Sequence, residues 1–182
     1  MTAPIIETDR LILRNWTDAD AAPLAAINND PRVMEFFPEP WSGDQSDAFL
    51  DQARAAIDER GYGIFALEEK ASSRLIGFAG LAPVGFTAQF TPATHISWRL
   101  ARRAWGSGYA TEAASAAVAD GFRQHALKEI VAFTPEWNTR SRRVMEKIGM
   151  HRDPDGDFIH PGVPPGHKLA HHVLYRIARP AA

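Results

Sequence analysis

The chain contains no cysteine. That excludes disulfide staples, thiolate-held metals or iron–sulfur clusters, and a cysteine nucleophile. No apolar run approaches the roughly 18 residues that a membrane-crossing helix needs. The opening MTAPIIETDRLILR lacks a basic stretch followed by an apolar one, so no secretory leader is expected and the default location is cytoplasmic. An excess of one charge is missing too: lysine plus arginine is 20, aspartate plus glutamate 22, and the net charge −2. That balance offers no general attraction to nucleic acid or to an anionic membrane. Lysine itself is scarce, with 4 against 16 arginines. Arginine is the better fork for phosphate, so the places where it clusters matter. Without repeats, low-complexity tracts or linkers, 182 residues read as a single domain over 1–182 that can bury a core unaided.

Periodicity then divides the chain. Residues 10–16 (RLILRNW) alternate as a strand, and Thr17 with Asp20 three residues on marks a helix start. That helix runs through Leu24 and Ile27 to Asn29-Asp30-Pro31, and a second follows Ser42 or Asp44 and stops at Gly61. Between them, residues 33–41 are rich in aromatics and proline. Residues 63–69 and 74–84 predict a hairpin, and 94–100 (THISWRL) a fourth strand. Residues 108–125 carry Ala113, Ala114, Ala117 and Gly121 at helical spacing, a small-residue face that lets a helix approach a sheet closely. A strand over 129–133, a helix over 138–148 closed by Gly149, and a strand over 172–178 complete the order. Residues 153–166, with four prolines and three glycines, predict an ordered but irregular loop. The pattern fits one α/β or α+β domain.

The sharpest local feature is Arg102-Arg103-Ala104-Trp105-Gly106-Ser107-Gly108-Tyr109-Ala110-Thr111, which follows a predicted strand and opens a predicted helix. Glycines there let the backbone approach a ligand, and the free N–H groups of a helix start face an anion. A Walker loop would need lysine after the last glycine, where Tyr109 stands, and a dinucleotide fingerprint would need a small residue at Thr111. A plain glycine-rich turn is the alternative to a phosphate cradle.

A second segment, Asn138-Thr139-Arg140-Ser141-Arg142-Arg143-Val144-Met145-Glu146-Lys147-Ile148-Gly149, follows the next strand. Together, Arg103-x-x-Gly106-x-Gly108 and Asn138-x-x-Ser141-x-x-Val144-x-x-Lys147-x-Gly149 resemble the two signature segments of the GNAT superfamily of acetyl-CoA-dependent N-acetyltransferases. The stretch from Trp105 to Ala113 further resembles the RimJ/RimL-like branch, which acetylates protein N-termini and, in relatives, small amines. The element order agrees over essentially the whole chain.

The resemblance implies a GNAT-like fold: a mixed, twisted sheet of about six to seven strands, helices on both faces, splayed at the coenzyme. It implies transfer of acetyl from acetyl-CoA to a primary amine of a small molecule or peptide, by direct attack in a ternary complex. The backbone of Trp105, Gly106, Ser107, Gly108, Tyr109, Ala110 and Thr111 would cradle the pyrophosphate, with Arg103, Arg102 and Arg99 neutralising it. Trp98, Arg99 and Leu100 would pair through their backbone with the pantetheine arm, and a main-chain N–H there would face the thioester oxygen. Asn138 would bond pantetheine, and Ser141 would protonate the leaving thiolate or merely cap its helix.

Many members of that branch carry a glutamate where His95 stands. A histidine with an ordinary pKa near 6.5 can take the amine's proton, which makes His95 the candidate general base; a half-buried structural histidine is the alternative. Phe36, Phe37 and Trp41 either wall the acceptor pocket or anchor their loop. His160, His167, His171 and His172 crowd one stretch, but the prolines and the strand pattern argue against a helical metal motif, so no metal is expected and a solvated loop and strand end is the reading. The arginines at 99, 102, 103, 140, 142 and 143 flank the coenzyme segments, which accounts for them without nucleic acid. A homodimer is open, with the apolar last strand as a candidate edge. A non-catalytic acyl-CoA-binding or sensing module is the different-class alternative; it would need no proton acceptor at position 95.

Overall fold

The computed structural model describes residues 5–181. Its strands are β1 (Ile6–Glu7), β2 (Leu11–Arg14), β3 (Ile64–Glu69), β4 (Arg74–Pro83), β5 (Thr94–Leu100), β6 (Glu129–Pro135), β7 (His151–Ile159) and β8 (His171–Ala178). Its helices are α1 (Ala21–Asn28), α2 (Gly43–Arg60), α3 (Tyr109–Gln124) and α4 (Thr139–Lys147). The strands form one sheet in the order β1-β2-β3-β4-β5-β6-β8-β7. Each neighbouring pair is antiparallel except β5 with β6, which is parallel. This is the mixed sheet the sequence predicts, widened to eight strands by β1 and β7.

Local chemistry explains the boundaries. Ser42 accepts from the N–H of Gln45 while Gln45 bonds back to the N–H of Ser42, a reciprocal cap that starts α2. Gly61, in the left-handed region at φ 76°, ends it. At the preceding helix start, the Asp20 carboxylate takes both the N–H and the hydroxyl of Thr17. Alternation along β4 sends Phe78 to one face, against Trp16 and Phe49 of α2, and Leu81 to the other, against Gly121 of α3. Thus α1 and α2 cover one face, and α3 with its neighbour α4 the other. A Cβ on Gly121 would lie 2.5 Å from Leu81, so the small-residue face is what lets α3 sit on the sheet.

Three expectations are corrected. Residues 153–159 are not loop: they belong to β7, with the register shifting between Asp153 and Phe158. An edge strand tolerates Pro154 and a bulge because one side of its backbone needs no partner. The apolar last strand, β8, is not an edge; β6 and β7 occupy its two sides, which closes strand pairing there as a route to a dimer. His172 is not solvated but buried on β8. Among the described residues, no helix is long and apolar enough to cross a membrane.

Candidate active site

The glycine-rich segment is a turn between β5 and α3. Gly106 and Gly108 have φ of 76° and 81°, values that favour glycine, and a Cβ on Gly106 would meet nothing within 4 Å. The first helical bond of α3 is Glu112 N–H to the Gly108 carbonyl. Among the described residues, the N–H groups of Gly106, Ser107, Gly108, Tyr109, Ala110 and Thr111 have no acceptor. This run of free donors at the positive end of a 16-residue helix is suited to a phosphate. The turn is braced from behind. Arg10 donates to the Ser107 carbonyl and to Glu112, whose carboxylate also takes the Thr8 hydroxyl. Arg103 donates to the Leu75 carbonyl, the indole N–H of Trp105 to the Leu100 carbonyl, and Tyr109 to Glu69.

Beside the turn, the sheet opens. Only His95 and Val131 are in register between β5 and β6 before the two strands part. The pairing of β5 with β4 passes through the Ala93 carbonyl and the Ala101 N–H, so odd-numbered residues bond β4. The main-chain groups of Trp98 and Leu100 therefore face the opening, while those of Arg99 pair with Phe78. The pairing expected between β5 and a pantetheine amide has unused main-chain groups available at Trp98 and Leu100, not at Arg99.

Across the opening stands the start of α4. Asn138 caps it, its Oδ1 accepting from the Ser141 N–H while its Nδ2 donates to Thr134 Oγ1 and Ser141 Oγ. Both amide hydrogens of Asn138 are thus used within the chain, leaving one Oδ1 lone pair for pantetheine. Ser141, half-buried, receives rather than gives in this contact, so its own O–H remains free to donate. Arg140, one residue earlier, lies 4.4 Å over the Trp105 ring and pairs with Glu35.

His95 lies on the face of β5 covered by α1 and α2. Its ring stacks on Phe133 at 5.3 Å within a cluster of Phe86, Phe90, Phe158, His160 and His172. Burial, and secondarily the neighbouring His160, push its pKa down to about 4. The value near 6.5 expected of an ordinary histidine is therefore not what this position provides. His172 is likewise pushed down to about 4 by burial.

Arg99 also points to that face and does not reach the glycine turn. It is 7% exposed, bonded to Asn28 of α1 and enclosed by Phe37, Trp41 and Phe78. Phe37 and Trp41 therefore meet at a guanidinium, whereas Phe36 packs on Val163, Leu169 and Ala170 before β8. Of the three aromatics, Phe36 anchors one loop to another. The supports at Arg10, Asn28, Glu35 and Glu112 escaped sequence reasoning; each acts across 70 residues or more, where no local spacing signals it.

A helix start with unsatisfied donors beside a parallel strand pair that splays is a place for an anionic ligand with an extended arm, and the class of protein it belongs to is the acetyltransferase class. Residues 10–151 match the model of the acetyltransferase (GNAT) domain, and the chain belongs to that family. It is 35% identical over 147 residues to YkkB of Bacillus subtilis, covering 79% of this chain and 83% of that one. It is 32% identical over 152 residues to YoaA of the same organism, named an N-acetyltransferase, covering 82% and 84%. Among solved structures, a GNAT-family acetyltransferase from Bacillus anthracis superposes with a TM-score of 0.78 at 26% identity, covering 96% of this chain and 98% of that one.

Proposed function

We propose that the protein transfers the acetyl group of acetyl-CoA to a primary amine by direct attack within a ternary complex. One observation carries this reading: the free N–H groups from Gly106 to Thr111 adjoin the opening between β5 and β6. A pyrophosphate on those donors directs the pantetheine arm along β5, where Trp98 and Leu100 offer main-chain partners. The amine nitrogen bonds to the thioester carbonyl carbon, the C–S bond breaks, and the products are the N-acetyl amine and the CoA thiol. Ser141 gives its hydroxyl proton to the departing sulfur and is reprotonated from solvent.

His95, neutral down to about pH 4, is too weak a base to strip an ammonium whose pKa lies near 8–10. It suits a lesser task, accepting the proton that the nitrogen sheds once the N–C bond is forming and its acidity has risen. The amine itself enters already deprotonated. The likeness of residues 105–113 to the RimJ/RimL-like branch supports acceptors of small-molecule or peptide type.

The test is amine-dependent CoA release from acetyl-CoA, read by a thiol reagent over a panel of amino acids, peptides, polyamines and aminoglycosides, with the acetylated product identified by mass. Turnover with at least one amine is expected. Binding of acetyl-CoA with no amine accepted would contradict the transferase reading and favour a sensing module.

A further inference from the structure

Arg99 is buried without an acid. It is 7% exposed, and among the described residues no carboxylate pairs with it. Its charge lies between the rings of Phe37 and Trp41, 4.3 and 4.2 Å away, with Phe78 at 5.2 Å. Nη1 donates to Asn28 Oδ1 at 2.6 Å, whereas Nε is buried with no partner. The Nε atoms of Arg54 and Arg152 are also buried without a partner, but each of those arginines has a carboxylate, Asp18 and Asp157. Arg14, reaching into the same layer as Arg99, has both Asp20 and Glu68. A buried cation with no counter-ion is costly, and a neutral amide does not offset the loss of hydration.

The neutral partner is itself built in. Asn28 Nδ2 donates to Ser46 Oγ, and that hydroxyl donates to the Ser42 carbonyl, so the amide oxygen is held toward Arg99. Asn28 therefore fixes one end of the fork while leaving its full charge unspent. The edge left over, Nε with Nη2, is the side-on face that grips a carboxylate through two parallel bonds. Arg99 shares its strand face with His95, and its main-chain neighbours Trp98 and Leu100 face the pantetheine opening. Phe37, 40% exposed, is the outer wall of the box, and a ligand reaches the guanidinium edge only if that ring moves aside.

We infer that Arg99 recognises a carboxylate on the acceptor, so that the preferred amine belongs to an amino acid rather than to a polyamine or aminoglycoside. One arginine matches one negative charge. A phosphate would call for a second cation, and among the described residues no cation other than Arg99 stacks on Phe37 or Trp41. The inference rests on the proposed acetyl transfer for its context and names the acceptor class of that site.

The experiment compares the common amino acids with their carboxamides and with spermidine as acceptors of acetyl from acetyl-CoA. At least one amino acid is expected to exceed its carboxamide by about tenfold or more in kcat/KM, mainly through KM. Arg99→Met should erase that preference while its circular dichroism and its affinity for acetyl-CoA stay unchanged. Should that variant fail to fold, Arg99→Lys keeps the charge, lacks the side-on edge and should lose most of the preference. Equal use of acids and amides, or a preference that survives in the variants, overturns the inference. Calorimetric titration of the CoA-loaded protein with the same compounds reads the contact without turnover. Carboxylates that bind while no amine is acetylated would sink the transferase reading and leave Arg99 standing. Acetylation of amines with no carboxylate advantage would do the reverse.

Discussion

Ser141 and Asn138 form a directed pair, and the direction is what the proposed role of Ser141 rests on. Because Asn138 Nδ2 donates to Ser141 Oγ, the hydroxyl proton is available to an incoming sulfur. Ser141→Ala should lower kcat by about a hundredfold, the usual scale for a lost general acid, and leave the acetyl-CoA Kd unchanged. An unchanged kcat would reduce Ser141 to a residue that packs its helix start. His95 and His172 make a second prediction, of stability. Both are pushed from 6.5 to about 4, so between those pH values the unfolded chain binds protons that the folded one refuses. Stability is full above pH 6.5 and falls as pH drops toward 4. Denaturant melts at pH 7.5 and 5 should show the loss, and His172→Phe should make it shallower; a flat profile would mean that these rings are not buried neutral. The glycine turn and Ser141 were legible because their chemistry is local. Where Arg99 ends up was not, since the face of a β5 side chain depends on pairing with β4.

Among the elements, β5 sets the site, and its seat on β4 depends on a glycine. A Cβ on Gly77, at φ 148°, would lie 2.1 Å from the Arg99 carbonyl oxygen and 2.8 Å from Leu100 Cα. Backbone cannot yield as a side-chain tip does, so Gly77→Ala should cost about 2–3 kcal/mol in urea unfolding, the scale of an overpacked core. It should also weaken acetyl-CoA binding, because the strand displaced is the one whose unused main-chain groups face the opening. Destabilisation with unaltered affinity would show that β5 shifts without consequence for the opening. The four helices and six of the strands were readable from caps and periodicity. The edge strand β7 was not, because its Pro154 and Gly156 carry the composition of a loop and only β8 beside it makes it a strand. The small face of α3 was legible as an approach surface, and Gly121 against Leu81 is the contact it permits.

Over the whole molecule, the candidate site is assembled by long-range ties. Arg10 and Glu112 join the first strands to the glycine turn, Asn28 holds Arg99, and Glu35 reaches Arg140 beside Trp105. None of these has a sequence signature; the ties of Arg10 to Glu112 and of Glu35 to Arg140 brace the donors at residues 106–111 against the opening of the sheet, while Asn28 orients the Arg99 side chain on the other face. Whether those donors hold a coenzyme pyrophosphate is decided by calorimetric titration of the folded protein with acetyl-CoA, with free CoA and ATP as controls. Micromolar binding of acetyl-CoA and of CoA, with none of ATP, is the predicted result. No heat from acetyl-CoA in a sample shown to be folded, or equal binding of ATP, would contradict it and return the glycine-rich segment to the status of a turn.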